Sequence, residues 1–332
     1  MARGKLRAGG VSQAMKVLHL ANWVSGVTAR NVNALKQHSR HSHELVARIP
    51  HVYNIGYEPP CYTEATTTRE VVLALAEEAD TLHFHAVGFD GTPELPETIH
   101  GIDWSEFLGR KRFVLSGMCS MLAPDGKTWF KPCGDRFTVR NLDKYDLLVG
   151  PHLSCKKTYA ERLEYVPDII PIDDWLYTPV PGPKPPVACS FKGWERQAEL
   201  LAAGIDFRVL PTPTKMAEQL DLRRKRVKAT LDNFSDGHWG LFGMESLSQG
   251  IPSAAYIHPM NRECFEILDV PQPPFLEVGH GGAGLVDMLR RVLDMQEGTY
   301  AALRRGCREW IERYYNPKAL VRRWDSVYET IA

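Results

Sequence analysis

Short apolar runs alternate along the chain with segments whose apolar residues recur at helical spacing. In the first half, apolar runs at residues 16–21, 44–49, 81–88, 112–116 and 145–150 predict buried strands, and residues 68–79 predict a helix. In the second half, runs at residues 187–191, 205–210, 227–231 and 254–257 predict further strands. The chain closes with predicted helices at residues 285–293, 300–315 and 319–331. Strands and helices that alternate in this way predict an α/β fold with parallel sheets.

A proline-rich connector, VPGPKPP at residues 180–186, marks the clearest boundary in the chain. We therefore predict a flexible basic tail at residues 1–15 and an N-terminal domain at residues 16–165. A linker at residues 166–186 leads into a C-terminal domain at residues 187–312, and a last helical segment covers residues 313–332. The length of 332 residues suits two domains of ordinary size.

The stretch from Asp232 to Tyr256 combines a strand end, a glycine-rich turn, a helix and a new strand. The turn contains Gly237 and Gly240, the predicted helix covers residues 241–247, and Gly250 ends it before Pro252. A helix that follows such a turn offers free backbone N–H groups and the positive end of its dipole. We therefore predict an anion site here, typically for phosphate.

Two further segments carry polar chemistry. Strict alternation places His83 and His85 on one face of a strand, and His85 lies near the C-terminal end, where open α/β sheets bind ligands. A buried structural histidine and a ligand-contacting one both account for His85, whereas the structural role is favoured for His83. The basic run from Arg223 to Arg226 predicts a solvated helix face, with phosphate-backbone binding as the alternative.

Composition narrows the possible classes of protein. Hydrophobic residues make up 44% and charged residues 24%, which is ordinary for a globular protein, and the formal net charge of zero does not favour non-specific nucleic-acid binding. An apolar run long enough to cross a membrane is absent from the sequence. The seven cysteines lack C-x-x-C spacing, which predicts reduced thiols, a cytoplasmic location and no zinc site.

The central stretch resembles a known signature. Gly240-Leu241-Phe242-Gly243-Met244-Glu245, followed by Gly250-Ile251-Pro252, is similar to the donor-site motif of retaining GT-B glycosyltransferases of family 4. The sequence departs from it at Gly237, where many members carry a second Glu, and Asp232 with Gly237 fits a subgroup with Asp near the strand end. The resemblance implies two Rossmann-like domains facing a cleft, with a C-terminal helix that crosses back to the N-terminal domain.

The resemblance also implies roles for individual residues. Lys192, which stands with Gly193 after a predicted strand, matches the lysine that contacts the donor phosphates, although a surface lysine at a helix start is the alternative. Arg196, placed one turn into the next helix, is a substitute for an arginine that the family carries earlier. Glu245 is expected to accept hydrogen bonds from ribose hydroxyls.

The candidate site follows from these matches. The implied catalytic residues are His85, Lys192 and Glu245. The implied donor-binding residues share a position at the cleft and are Gly26, Lys192, Arg196, Gly240, Leu241, Phe242, Gly243 and Glu245. For Gly26 a plain turn after the first strand accounts for the glycine equally well.

The activity that the resemblance implies is transfer of a sugar from a UDP- or GDP-sugar to a hydroxyl acceptor, with retention and without a metal or resident cofactor. The absence of an Asp-x-Asp pair from the sequence agrees with this expectation. The acceptor is a saccharide, a lipid-linked glycan or a hydroxymethylated base in DNA. A GT-B-like binding protein without catalysis is a further alternative, because Gly237 replaces a Glu and Ser116-Gly117 replaces the usual His-Gly. The sequence leaves the oligomeric state open.

Overall fold

The computed structural model describes residues 13–23, 26–49, 61–85, 99–116, 121–122, 128–130, 136–138, 145–150, 163–190, 196–210, 216–232, 234 and 239–332. The strands are β1 Lys16–Trp23, β2 Ser42–Ile49, β3 Tyr62–Thr63, β4 Thr81–His85, β5 Arg112–Ser116, β6 Met121–Leu122, β7 Thr128–Phe130, β8 Arg136–Thr138, β9 Leu147–Gly150, β10 Leu163–Tyr165, β11 Val187–Ser190, β12 Asp206–Val209, β13 Ala229–Leu231, β14 Ser253–Ala255 and β15 Leu276–Glu277. The helices are α1 Gly26–His38, α2 Arg69–Glu78, α3 Gln197–Ala202, α4 Met216–Arg226, α5 Leu241–Ser248, α6 Pro259–Leu268, α7 Leu285–Leu293, α8 Glu297–Tyr314 and α9 Pro317–Glu329.

Two parallel sheets organise the described residues. The first has the order β10-β9-β5-β4-β1-β2-β3, and the second has the order β12-β11-β13-β14-β15. The strand pairs within both sheets are parallel, so all the carboxyl ends of each sheet lie at one edge. A small antiparallel sheet, β6-β7-β8, belongs to the first half. The predicted α/β fold with parallel sheets is therefore confirmed.

The hydrophobic core extends through both halves and the segment between them. One buried cluster joins Val17 of β1 and Tyr177 of the connecting segment to Met244 of α5 and Trp324 of α9. A second cluster covers the opposite face of the first sheet, including Leu82 and Phe84, and a third fills the second half. The alternation predicted for β4 is thus observed, because its leucine and phenylalanine point into a core.

The last helix returns to the first half, as predicted. Asn316 caps α9 by accepting a hydrogen bond from the Ala319 N–H at 2.9 Å, and Pro317 occupies the first turn, where a missing N–H costs nothing. Asp325 of α9 then accepts hydrogen bonds from the Ser39 hydroxyl at 2.5 Å and from the Arg40 N–H at 3.3 Å. Within the described part of the chain, no helix has the length and apolar character needed to cross a membrane.

Candidate functional site

The helix that follows the glycine-rich turn begins as the sequence predicts, but its N-terminus already holds a carboxylate. Asp232 comes directly after β13, and its Oδ2 accepts a hydrogen bond from the Gly240 N–H at 2.5 Å. A negative charge is favourable at this end of a helix. One of the backbone N–H groups that the sequence predicts for a phosphate is therefore bonded to a side chain of the protein.

The glycines of the motif make this close approach possible. A Cβ at Gly240 would lie 2.7 Å from Asp232 Oδ1, and a Cβ at Gly243 would lie 2.5 Å from Asp232 Oδ2. Real Cβ atoms do not approach other heavy atoms so closely, so a side chain at either position would displace the carboxylate. Both glycines are explained by the packing of Asp232, without any ligand.

Glu245 lies one turn further along α5 and is only 3% exposed. Its Oε1 accepts a hydrogen bond from Arg30 Nη1, and its Oε2 accepts one from Arg223 Nη2 at 2.9 Å. Arg30 also donates from Nη1 to the Tyr177 hydroxyl at 3.2 Å and from Nε to the Gly26 carbonyl at 2.9 Å. We call Arg30, Glu245 and Arg223 the charged triad. It joins α1 of the first half to α4 and α5 of the second.

The triad corrects the prediction that the basic run from Arg223 to Arg226 forms a solvated face. Arg223 is 2% exposed, stacks its guanidinium 4.4 Å from the centre of the Phe242 ring and donates from Nε to Gln249. Arg224 stacks 4.3 Å from the centre of the Trp175 ring. The rest of the run, Lys225 and Arg226, is exposed, as predicted. Phe242, a predicted donor-binding residue, covers Arg223 here.

The electrostatics of the triad reflect its burial. Burial acts to lower the pKa of Arg30, but the charges of Tyr177 and Glu245 and the hydrogen bonds to them hold that pKa above its ordinary value. Burial raises the pKa of the Tyr177 hydroxyl to about 12. Nearby, burial raises the pKa of Asp168 to about 6, against the opposing effects of its hydrogen bond from Asn31 and the charge of Arg30. The surroundings of Arg30 therefore favour its ionised form.

Gly26, also a predicted donor residue, begins α1 in the first half, and the others lie at the carboxyl edge of the second sheet or outside the described residues. Arg196 is the N-cap residue of α3, not a residue one turn into the helix, because the helix begins at Gln197. Its Nη1 donates to the Gly282 carbonyl at 2.7 Å, which ties it to the loop after β15. Leu241 is the first residue of α5. Lys192 and Gly237 lie outside the described residues, so their predicted roles stay predictions.

His85 belongs to a buried cluster of histidines in the first sheet. The register of the parallel strands pairs His19 of β1 with His83 of β4, and His85 ends β4 next to Ala21 and Ser116. His19 donates to or accepts from His85 and His43 at 2.9 Å each, while His83 contacts the Tyr328 hydroxyl at 2.7 Å and the Ser116 hydroxyl at 2.5 Å. The predicted placement of His83 and His85 on one face is confirmed. The participation of His19 and His43 was not predicted.

All of these histidines are neutral at ordinary pH. Burial lowers the pKa of His43 and of His85 to about 3 each. Burial first, and the neighbouring histidines second, lower the pKa of His19 and of His83 well below the ordinary value. Neutral imidazole is the form that binds metals, and His19, His83 and His85 each have a ring nitrogen within 4.8 Å of the others. However, both ring nitrogens of His19 and of His83 already have partners in the protein, which a metal would have to replace.

A cavity of about 830 Å³ lies at the other edge of the first sheet, where Met15, Thr81 and Arg112 line it. These residues stand at the amino ends of the strands, whereas open α/β sheets bind ligands at the carboxyl ends. Because none of the predicted site residues lines this cavity, we do not assign the site to it.

Comparisons with known proteins place the fold. No protein-family model matches the sequence, and no curated protein matches it. Among solved structures, an α-glucosyltransferase in complex with UDP-glucose and DNA containing an abasic site matches with a TM-score of 0.61 at 9% identity, covering 95% of this chain and 100% of that one. A glycosyltransferase from Rickettsia africae matches with a TM-score of 0.59 at 12% identity, covering 96% and 99%. Anabaena HepE in complex with UDP-glucose matches with a TM-score of 0.57 at 14% identity, covering 96% and 99%.

Proposed function

Because the chain has the GT-B fold of these glycosyltransferases over nearly its whole length, we propose that it transfers a sugar from a nucleotide-diphosphate donor to a hydroxyl acceptor. The observation that carries this proposal is the meeting of α1 and α5. Both helices start at the carboxyl edge of a parallel sheet, one in each half, and Arg30 and Glu245 connect them. Ligand sites of α/β proteins form at such edges.

The donor diphosphate belongs, in this proposal, at the N-terminus of α5 together with Lys192 and Arg196. Backbone N–H groups and cations there would stabilise the charge that develops on the leaving diphosphate. Asp232 accepts from the Gly240 N–H, so a phosphate would either displace this carboxylate or use the N–H groups that follow in the first turn of α5. The ribose would be held by Glu245, whose Oε1 also accepts from Arg30, so ribose hydroxyls would bind beside this arginine or replace it. Donor binding is thus coupled to the contact between the two halves.

The first experiment is a thermal-shift panel of UDP, GDP, ADP and CMP, followed by the corresponding sugar conjugates. A ligand at about 100 times its dissociation constant stabilises the folded state by roughly 2.7 kcal/mol, which is readily measured. We expect one nucleoside diphosphate to stabilise the protein and Arg196→Ala to weaken its binding. The matched control is Arg208→Ala, an exposed arginine that pairs with Asp206 on β12, the outer strand of the second sheet. An equal loss in both variants, or no shift with any nucleotide, would contradict the proposed donor site.

Hydroxymethylated DNA is a second candidate acceptor. The α-glucosyltransferase whose structure matches with a TM-score of 0.61 is in complex with DNA that contains an abasic site, and this chain covers its whole length. The test compares transfer to a duplex containing hydroxymethylated bases with transfer to saccharide acceptors. Transfer to DNA should weaken steeply as salt increases, because phosphate contacts release counterions. Transfer to saccharides alone, or activity that is indifferent to salt, would remove this candidate.

A binding protein without catalysis is supported by two contacts at the site. Asp232 occupies the N-terminus of α5, and both carboxylate oxygens of Glu245 are taken by arginines. Nucleotide binding without turnover of any sugar conjugate would favour this alternative. Turnover that Lys192→Ala abolishes would exclude it.

A further inference from the structure

A chain of four hydrogen bonds runs from the last helix to the end of β4. Asp325 Oδ1 is 2.5 Å from Ser39 Oγ, which is 3.0 Å from His43 Nε2. His43 Nδ1 is 2.9 Å from His19 Nε2, and His19 Nδ1 is 2.9 Å from His85 Nε2. Every member except Ser39 is buried. We call these five residues the histidine chain.

Proton counting gives this chain a single direction. An ionised carboxylate only accepts hydrogen bonds, so the one hydroxyl proton of Ser39 goes to Asp325. Ser39 Oγ also accepts from the His41 N–H at 3.0 Å, and it has no second proton to offer. His43 must therefore donate from Nε2 to Ser39. Asp325 thus fixes the direction of the hydrogen bond between His43 and Ser39.

The same argument passes from ring to ring. A neutral imidazole has one N–H, so His43 accepts at Nδ1 from His19 Nε2, and His19 accepts at Nδ1 from His85 Nε2. Burial lowers the pKa of all three rings, which agrees with one proton on each. The chain therefore leaves His85 with its proton on Nε2 and with a lone pair on Nδ1 that accepts no hydrogen bond from the described residues.

The position of His85 makes that lone pair relevant. It is the last residue of β4, beside Ala21 of β1 and Ser116 of β5, at the carboxyl edge from which β1 leads towards α1. We propose that Asp325, acting through Ser39, His43 and His19, fixes His85 as a hydrogen-bond acceptor for a hydroxyl group of the sugar or acceptor. The identity of the hydroxyl ligand rests on the proposed function, whereas the direction of the chain does not. The residues that act only through His85 are positioning residues, and they are Asp325, Ser39, His43 and His19.

The direct test is the tautomer of each ring in the full chain labelled with ¹⁵N-histidine. Long-range ¹H–¹⁵N correlation spectra distinguish a proton on Nδ1 from one on Nε2, and single histidine variants assign the signals. We expect His19, His43 and His85 all to carry the proton on Nε2. An Nδ1 proton on any of the three overturns the proposal. The tautomers themselves are measured in the unaltered protein without a substrate, and the histidine variants serve only to assign the signals.

Asp325→Leu then tests the cause of the direction. Without the carboxylate, the Ser39 proton turns to His43 Nε2, and all three rings should move their proton from Nε2 to Nδ1. Asp325→Asn keeps a side-chain acceptor and should retain the original tautomers. Tyr328→Phe is the neighbouring control, because Tyr328 lies on the same helix, packs its ring 5.7 Å from that of His43 and bonds through its hydroxyl to His83, and phenylalanine removes only that hydroxyl. Unchanged tautomers in Asp325→Leu would show that Asp325 does not set the direction.

Turnover tests the role of His85 itself. In Asp325→Leu, His85 would carry its proton on Nδ1 and present an N–H where the proposal needs an acceptor. We therefore expect kcat to fall at least about tenfold, with the donor KM little changed. Asp325→Asn should restore turnover, and Ser326→Ala, an exposed neighbour that bonds only within α9, should not alter it. If the proton moves to Nδ1 in Asp325→Leu and kcat is unchanged, the proposed contact between His85 and a substrate hydroxyl is overturned. If the unaltered protein transfers no sugar at all, the proposed function fails. The tautomers still test the direction of the hydrogen bonds in the histidine chain.

Discussion

Two groups of buried polar side chains lie close to the predicted site. Both must be accommodated in the interior of the protein, one as charged side chains and the other as neutral ones. The charged triad pairs the carboxylate of Glu245 with the guanidinium groups of Arg30 and Arg223, so each charge lies next to an opposite charge. The histidine chain keeps His19, His43 and His85 neutral and satisfies them with hydrogen bonds of one direction. The difference follows from the side chains, because arginine does not lose its proton in proteins whereas a buried imidazole does.

The comparison separates two kinds of sensitivity. A buried ion pair depends on the presence of every partner, since removal of one leaves an uncompensated charge in the interior. A neutral histidine cluster depends on pH, since acid forces charge onto groups that burial keeps neutral. We therefore expect mutation to be most damaging at the triad and acid to be most damaging at the histidines.

The largest effect should come from Glu245→Ala, which removes the negative centre of the triad. Arg30 and Arg223 would then face each other as buried cations without a carboxylate. Breaking a buried pair in this way costs about 3–5 kcal/mol of unfolding free energy. Urea or thermal unfolding of the variant measures this loss directly.

The matched control is Glu312→Ala, which removes an exposed glutamate that pairs with Arg308 along α8. Exposed pairs contribute roughly 0–1 kcal/mol, so this variant should unfold almost as the unaltered protein does. If the two variants lost similar stability, the triad would not be a buried ionic group of the kind described. Glu245→Gln should fall between them, because it keeps acceptor capacity on one atom but loses the charge.

Acid should produce the next largest effect, through the histidines. The unfolded chain protonates His43 and His85 near pH 6.5, whereas the folded chain does so only near pH 3. Stability is therefore lost as the pH falls from about 6.5 towards 3. Between pH 7.5 and 5.5 these two rings together should cost roughly 2.5 kcal/mol. His19 and His83, whose pKa values are also lowered, add to the loss.

Asp168 supplies the control for that experiment, because its contribution has the opposite sign. Its pKa is raised to about 6 in the folded protein, so the folded state gains a proton and stability as the pH falls through 6. Asp168→Asn removes this partial offset, and the loss of stability between pH 7.5 and 5.5 should become steeper. A flat stability profile in both proteins over this interval would contradict the neutral, buried state of the histidines.

The same comparison explains what the sequence could predict. Alternation in β4 predicts that His83 and His85 share a face, because the side-chain period of a strand is two. It does not predict that His19 lies beside them, since the register between β1 and β4 is set by packing of the whole sheet. The elements themselves follow from local patterns: residues 285–293 are predicted and observed as one helix, and β5 matches the predicted residues 112–116.

The triad was harder to predict, although part of its signal is in the sequence. Arg223 stands in a run of four basic residues, which is typical of a solvated face. Yet Gln219, Leu220 and Arg223 recur at helical spacing and form the buried stripe of α4. Arg30 has no comparable signal, because its partner is 215 residues away in the chain. Glu245 could be named from its motif, but a motif does not reveal that two arginines hold it.

The smallest effect should come from Gly243→Ala, which tests the packing of Asp232 on the same helix as Glu245. The new Cβ would lie 2.5 Å from Asp232 Oδ2 and 3.0 Å from the Phe275 ring, so either the carboxylate or the helix must shift. Overpacking of this kind costs typically about 1–3 kcal/mol. Gly306→Ala in α8 is the control, since a Cβ there meets nothing within 4 Å and alanine stabilises an exposed helix position by up to about 1 kcal/mol. The two substitutions should therefore change the unfolding free energy in opposite directions. If both substitutions stabilised the protein, Asp232 would not pack closely against α5. The N-terminus of α5 would then be open to an anion without displacement of a side chain.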